Sequence, residues 1–455
     1  MMYPEKEKFV EFRSMKPYPA YKASGIEWLG EIPEHWEVKK LKYCDEVIMG
    51  QSPNSEDYQL EPDGLPFLQG NADFTQLYPK PRIWCNTANK IAETDDILLS
   101  VRAPIGAVNI ADQRYGIGRG LCAIRSIKTD KKYLYYIVLC LSDELNSIGT
   151  GSTFTAVSVD EIRNLPISQP RSLEEQRTIA AYLDHKTRLI DTYLAKKQQQ
   201  VERWQAYRAA LINQAVTKGL NPAAPMKASG IEWLGEIPAE WKISKIKHEL
   251  QSLDYKRVPL SGEIRGAMEN KMYDYYGASG VIDKTEAYLF DETLILLGED
   301  GANLYSRSTP LAFLAKGKYW VNNHAHVLKP INGDIDYFVN LLESIDYTPF
   351  ITGSAQPKLT MENLQNIPIP IPPILEQRAI AAYLDEQTAK IDTLVAATQR
   401  QLERLHAYRA TLISDVVTGK IDMRGRKGLP ENHCGADATI LQPLRGKEPL
   451  RNISS

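Results

Sequence analysis

One segment of this chain occurs twice without a single difference: residues 22–33 and residues 227–238 both read KASGIEWLGEIP. Trp36 and Trp241 follow at the same distance. A second block recurs with few changes, EEQRTIAAYLD at 174–184 returning as LEQRAIAAYLD at 375–385. Further on, Ile190-Asp191-Thr192 matches Ile391-Asp392-Thr393, and Ala206-Tyr207-Arg208 matches Ala407-Tyr408-Arg409. The copies lie about 200 residues apart, far beyond the 20–50 residue period of a solenoid, so the chain is a duplicated domain pair. Its 455 residues are too many for one ordinary core and suffice for two or more domains.

Each half has a Trp-rich lead-in, a variable region and a closing similar segment. The divisions expected are a lead-in at 1–36, a head at 37–170, a long helix at 171–220, a linker with the repeated lead-in at 221–241, a second head at 242–372, a second long helix at 373–425 and a polar tail at 426–455. The heads differ in sequence but share an order of elements. Strand-like runs fall at Ile97–Val101, Ala107–Ile110 and Leu121–Ile127, and again at Leu294–Leu297, Leu311–Ala315 and His326–Leu328. Helical periodicity follows, through Leu134, Ile137, Val138, Leu141, Leu145 and Ile148 in one head and Ile335, Val339, Leu342 and Ile345 in the other. A Gly-Ser loop comes next (Gly151-Ser152; Gly353-Ser354), then a proline-bounded exit at Leu165-Pro166-Ile167 or Ile367-Pro368-Ile369.

Residues 174–217 and 376–418 contain neither Gly nor Pro. Each predicts one helix about 65 Å long at 1.5 Å per residue, and a helix of that length asks for a coiled-coil partner. Heptads supply the seam. One line runs Leu183, Ile190, Lys197, Trp204, Leu211, copied as Leu384, Ile391, Thr398, Leu405, Leu412. The other runs Thr187, Leu194, Val201, Arg208, Ala215, copied as Thr388, Val395, Leu402, Arg409, Val416. The polar positions recur too: they sit either at the seam's edge with their stems buried, or set register and dock a partner. The fold class expected is therefore α+β: two globular heads of mixed sheet plus helices, separated by two long helices that pair antiparallel within the chain and act as a spacer. Trp28, Trp36, Trp233 and Trp241 are expected to pack the lead-ins against these helices.

Catalytic signatures are missing. Gly-Lys occurs at 317–318, 419–420 and 446–447, never in a Walker pattern. Gly116, Gly118 and Gly120 lack the GxGxxG spacing and precede a strand, and no Asn-Pro-Pro-aromatic tetrapeptide of an amino-methyltransferase occurs. His324 and His326 flank Ala325 on a strand-like stretch; two histidines alone make a poor zinc site, and a hydrogen-bonded structural role is expected. Asp95-Asp96 and Asp291-Glu292 read as solvated turn carboxylates. Five scattered cysteines without a CxxC pair suggest neither a disulfide framework nor a zinc ribbon, and point to a reducing cytoplasm. The charged start of the chain lacks a signal-peptide core, and the longest apolar run, Tyr133–Leu141, is too short to span a bilayer, so no membrane is expected. Net charge is −3, which counts against a nucleic-acid binder unless positive charge gathers on one face.

The lead-in YKASGIEWLGEIPEHW, the helix start EEQRTIAAYLD and the heptad helix with IDT, AYR and VTKG resemble the specificity subunits of type I restriction-modification systems. GEDGANLYSRSTPLAFLAKGKYWVNNHAHVLKP (298–330) and SVRAPIGAVNI with GRGLCAIR (100–125) are similar to their target-recognition domains. The resemblance runs to about residue 425. It implies a non-catalytic subunit that binds double-stranded DNA, each head reading half of a split, asymmetric site, with the helices fixing the unread spacer. It also implies two methyltransferase subunits docked on the helices and carrying S-adenosylmethionine, and restriction/translocase subunits using ATP and Mg, with no cofactor in this chain.

Reading base edges requires Arg, Lys, Asn, Gln or hydroxyl side chains on loops. The candidates are Gln69, Asn71, Arg102, Arg114, Tyr115, Arg119, Thr153 and Thr155 in the first head. In the second they are Tyr276, Ser279, Ser306, Arg307, Lys316, Lys318, Gln356 and Lys358. Candidates for helix pairing and partner docking are Leu183, Ile190, Leu194, Val201, Trp204 and Arg208, with Leu384, Ile391, Val395, Leu402, Leu405 and Arg409. Two rival readings stay open: a stand-alone bivalent DNA-binding regulator, and a non-DNA scaffold holding two ligand-binding heads.

Overall fold

The computed structural model describes residues 16–142, 145, 156–353 and 356–424. Thr153, Thr155, Gly151, Ser152, Ser354 and the tail at 426–455 lie outside the described residues. Two compact units divide the chain, one of residues 1–194 with 403–455 and one of residues 195–402. The first long helix is Leu173–Lys218 and the second is Ile374–Val417, 46 and 44 residues. Each runs through both units. No helix among the described residues is long and apolar enough to cross a membrane.

In the first unit Tyr21–Ala23 and Glu31–Pro33 form an antiparallel hairpin, and Trp36–Lys40 pairs with the exit strand Pro166–Pro170. Between them sits a head of two four-stranded sheets. One is antiparallel, in the order Glu46–Met49, Leu121–Arg125, Ile97–Ser100, Val108–Ile110. The other runs Ile83–Trp84, Pro66–Leu68, Tyr115–Ile117, Ile91–Ala92, and its central pair is parallel.

The second unit repeats this pattern element by element. Met226–Ala228 pairs with Glu236–Pro238, and Lys242–Lys245 with Pro368–Ile371. Its antiparallel sheet is Leu250–Ser252, Ala325–Pro330, Leu294–Gly298, Ala312–Ala315. Its second sheet is Gly280–Thr285, Tyr273–Gly277, Lys318–Val321, Phe290–Asp291, again with a parallel central pair. The apolar runs expected as strands are the two inner strands and one edge strand of each antiparallel sheet. The second sheets escape the pattern because several of their strands are only 2 or 3 residues long and set no alternation.

Each head carries a 10-residue amphipathic helix. Lys131–Cys140 starts at Asp130, whose carboxylate accepts from the Lys132 and Tyr133 amides, and Ile335–Ser344 starts at Asp334, which accepts from Tyr337 N. The first is capped at Leu141, and beyond it Leu145 is again helical, its amide donating to Leu141 O and its side chain in the same core, while Ile148 lies outside the described residues. Its Leu134, Ile137 and Val138 share a core with Ile97 and Leu99 of the sheet and with Ile179 and Leu183 of the first long helix. In the second unit Phe338, Leu341 and Leu342 share a core with Ile295 and Leu297 and with Ile380 and Leu384 of the second long helix.

Polar ties at the start of each long helix recur as faithfully as the apolar ones. Buried Glu175 accepts from Trp36 Nε1 (3.1 Å) and Tyr18 Oη (2.8 Å), and meets His35 Nε2 at 3.0 Å. Glu376 accepts from Trp241 Nε1 at 2.9 Å. Both sit in the first helical turn, where the exposed amides favour a carboxylate. The next residue repeats as well: Gln176 accepts from Asp130 N and donates to Pro170 O, while Gln377 accepts from Asp334 N and donates to Pro372 O. Tyr133 Oη donates to Ser168 O and Val417 O, and Tyr337 Oη to Pro370 O and Val216 O. Burial pushes both phenols well above their ordinary pKa. The lead-in tryptophans divide accordingly: Trp36 and Trp241 are buried, but Trp28 is exposed, a correction to the expected packing.

Every heptad seam position is buried or half-buried in both helices. In the first unit Leu183 and Ile190 share a core with Leu412 and Val416. The same unit brings Asp191 to Arg409, at 2.8 Å to Nε. In the second unit Asp392 meets Arg208 at 3.0 Å. With Glu175 at the Trp36 end near Gly419, and Asp191 beside Arg409, the segments run antiparallel within that unit. The recurrent arginines thus cross to the recurrent aspartates and mark register. Of the residues named for helix pairing and partner docking, Leu183, Ile190 and Leu194 join the first core, Leu384 joins the second, and Arg208 and Arg409 make these ion pairs.

Two measurements test these ties. Glu175→Leu strands the Tyr18 and Trp36 donors and should destabilise the first unit by about 3 kcal/mol; hydrogen exchange over residues 16–40 should accelerate, and unchanged protection there would refute the tie. A double-mutant cycle of Asp191→Asn with Arg409→Gln should give a coupling of about 0.5–1 kcal/mol, since both side chains are only a quarter exposed. Zero coupling would leave register to the apolar seam alone.

Candidate functional site

In each head the ends of the same strands meet at one edge. In the first, Gly118 N donates to Leu68 O (2.8 Å), Gly50 N to Leu121 O (2.9 Å), Gln51 N to Ile117 O (2.9 Å) and Val101 N to Gly120 O (3.0 Å). These bonds gather the loops at 50–52, 69–71, 101–102 and 118–120, and Arg119 N donates to Ser52 Oγ at 3.2 Å. The approach is close enough to require glycine. A Cβ on Gly50 would lie 2.1 Å from Gly118 O, and one on Gly120 2.6 Å from Gln69 O. The sequence-predicted Gln69, Arg102 and Arg119 are exposed on this edge, with Asn71 half-buried beside them. Gln51, exposed there too, was not foreseen, because a lone Gln before Ser-Pro reads as an ordinary loop residue.

The second head builds the equivalent edge from 278–279, 299–301, 322–324 and 356–358. Asn322 N donates to Tyr276 O (3.1 Å), Glu299 N to His324 O (2.9 Å), Leu359 N to Glu299 O (2.8 Å) and Gly301 N to Pro357 O (3.1 Å). Ser279, Asn323, His324, Gln356 and Lys358 are exposed here. His324 Nδ1 lies 2.8 Å from the Asp300 carboxylate, and its amide donates to buried Asn322 Oδ1. Of these, Ser279, Gln356 and Lys358 were predicted. Asn323 and His324 were not, since alternation had put the histidine on a strand, whereas it lies in the turn before Ala325–Pro330.

An ion network lies under this edge. Arg257 contacts Glu299 (2.6 Å) and Asp254 (3.0 Å), and Lys358 contacts Glu299 at 3.0 Å. Buried His326 bonds Asp254 through Nδ1 (2.7 Å) and Leu359 O through Nε2 (2.8 Å). Burial opposes charge on Glu299, but Arg257, His326 and Lys358 outweigh it and hold its carboxyl below the usual range. Donor atoms of Asp254, Glu299 and His326 lie within 4.8 Å of one another. The guanidinium already bridges the two carboxylates, so the group is an ion-pair cluster rather than a metal cage.

Other predicted residues lie elsewhere. Tyr115 is fully buried at the start of its strand, its hydroxyl bonded to Asp112 at 2.6 Å, and burial with that bond pushes it up to about 12. No ligand reaches that ring. Arg114, just before the strand, pairs with Glu93 at 3.1 Å. Lys316 and Lys318 bracket the matching strand start in the second head, and Lys318 Nζ lies 4.8 Å from the Tyr288 ring centroid. These residues flank the strand ends opposite the gathered loops. Arg307 donates to Ile345 O and Glu343 O, capping the end of helix Ile335–Ser344, and Ser306 Oγ meets Ser308 Oγ. Tyr276 stacks on Phe313 at 5.9 Å. Arg307, Ser306 and Tyr276 thus each have partners within the second head. Asp96 also departs from expectation: it is buried and paired with Arg125 at 2.8 Å.

A family model described as the type I restriction modification DNA specificity domain matches residues 33–203 and 238–404. The candidate MjaX type I restriction enzyme specificity subunit of Methanocaldococcus jannaschii is 39% identical over 194 residues, 42% of this chain and 44% of that protein. The MjaVIII specificity subunit of the same organism is 24% identical over 86% of this chain and 94% of its own length. A chain from a solved structure of type I R-M system assembly and conformational transition superposes with a TM-score of 0.64 at 14% identity, covering 86% of this chain and 99% of that one. That likeness concerns the fold. With both halves matched by the family model, this chain belongs to the type I restriction modification DNA specificity family, of which it carries two domains in tandem.

Proposed function

We propose that this chain is the DNA sequence-specificity subunit of a type I restriction-modification complex, each head reading one half of a bipartite, asymmetric site. One observation carries the reading. Two heads of the same topology offer the same edge, with Gln51, Gln69, Asn71, Arg102 and Arg119 on one and Ser279, Asn323, His324, Gln356 and Lys358 on the other. Arg suits guanine and Asn or Gln suits adenine in the major groove. Identical heads would read a palindrome, whereas different heads read an asymmetric site. Thr153 and Thr155 remain candidates on the first head.

In this reading the long helices set the unread spacer between half-sites, which lie about 35 Å apart when read on one face of B-DNA. Two methyltransferase subunits bring S-adenosylmethionine and flip the target adenine, and restriction/translocase subunits bring ATP and Mg. The chain works in the cytoplasm, holds no cofactor and contributes recognition rather than a catalytic group. The overall negative charge does not oppose this, because affinity depends on local cations and on the assembled complex.

Replacing residues 242–370 with the corresponding head of another family member should change one half-site and leave the other intact, as read by mapping methylated adenines; a change in both halves would refute modular reading. Gln69→Ala and Arg119→Ala should each weaken binding to the first half-site by about 1–3 kcal/mol in the assembled complex. Arg114→Ala and Lys318→Ala should leave sequence preference unaltered. The reverse order of effects would place the reading edge at the opposite strand ends.

A further inference from the structure

Within the reading of this chain as a specificity subunit, on which the inference rests, we infer that His324 is a base-reading residue of the second head. Asp300 is its positioning residue, and the group recognised is the exocyclic amine of adenine or cytosine in the major groove. His324 and His326 stand two residues apart, and both turn Nδ1 to a carboxylate. His326 Nδ1 lies 2.7 Å from Asp254 and its Nε2 2.8 Å from Leu359 O, so the fold uses both ring nitrogens of this buried side chain. His324 Nδ1 lies 2.8 and 2.9 Å from the two Asp300 oxygens. Its Nε2 has no hydrogen-bond partner among the described residues. The ring is 46% exposed, whereas the Asp300 side chain behind it is only 15% exposed.

Backbone bonds fix where that nitrogen is offered. His324 N donates to Oδ1 of buried Asn322 at 2.8 Å, and Glu299 N donates to His324 O at 2.9 Å. The aspartate is tied as well: Asp300 bridges antiparallel to Lys358, and Gly301 N donates to Pro357 O at 3.1 Å. Both members of the pair stand on held backbone, which limits the freedom lost on meeting a ligand. The carboxylate then decides the chemistry of the outward atom. It only accepts, so the hydrogen of a neutral imidazole is held at Nδ1 and Nε2 keeps a lone pair. Every base pair carries one amine in the major groove, at adenine N6 or cytosine N4, and this group requires an acceptor. A free carboxylate would accept it but would add a negative charge facing the phosphates, which a neutral imidazole does not. The carboxylates at this edge are already engaged, Glu299 by Arg257 and Lys358 and Asp300 by His324 itself. The ring thus presents the acceptor in their place.

Binding is measured with the full chain assembled with its methyltransferase subunits. A duplex library randomised over the second half-site locates the contact: His324→Ala should relax selection at one base pair and leave the first half-site as it was. At that pair the amine is removed by base analogue, unsubstituted purine for adenine or 2-pyrimidinone for cytosine. Its removal should weaken binding about tenfold for the unaltered chain and leave binding by His324→Ala almost unchanged. Asp300→Asn, whose amide donates to Nδ1 and lets the ring proton sit at Nε2, should abolish the amine effect with an unchanged thermal melt. Full retention of that effect by Asp300→Asn would overturn the positioning role. If deletion of purine N7 (a 7-deazapurine), rather than of the amine, loses its effect in His324→Ala, the ring donates and the amine assignment is overturned. Selection unaltered at every position by His324→Ala would overturn the base-reading role and leave the specificity reading intact. An unaltered complex that selects no sequence would overturn both.

Discussion

A carboxylate in the first turn of each long helix, bonded to the indole that ends a lead-in, is the contact on which the rest of each unit depends. Glu175 with Trp36 and Glu376 with Trp241 join three things at one point: the lead-in, the start of the helix and the exit strand beside it. The neighbouring glutamines extend the joint to the cap of the head's own helix through Asp130 N and Asp334 N. Tyr133 and Tyr337 then reach the closing turns at Val417 and Val216. A head anchored this way has its base specified by polar groups that are costly to leave unpaired, so its other edge is free to vary.

That division of labour explains how the repeat has diverged. Positions that make the joint recur in kind, and so do the crossing Asp–Arg pairs of the helices. The edges that collect the loops share backbone bonding but not side chains. Backbone hydrogen bonds between strand ends and loops hold the same path whatever residues occupy them, provided glycine stands where two loops nearly touch, as at Gly50 and Gly120. The edge can be rewritten without disturbing the core, which suits a module that must read different sequences from one scaffold.

Much of this was legible in the chain itself. The duplication, the two Gly- and Pro-free segments, their seams and the apolar strands all follow from identity and period, because such signals are local and repeat along the sequence. The family resemblance rests on the same motifs. Tertiary structure alone decided the rest. Tyr115 and Arg307 carry the right chemistry for base contacts, yet one is buried and the other caps a helix end, since residue type says nothing of what surrounds it. His324 and Asn323 reach the candidate edge because parallel pairing of Tyr273–Gly277 with Lys318–Val321 brings distant strand ends together. A contact between strands far apart in sequence leaves no period to read, and the reading edge is built from such contacts.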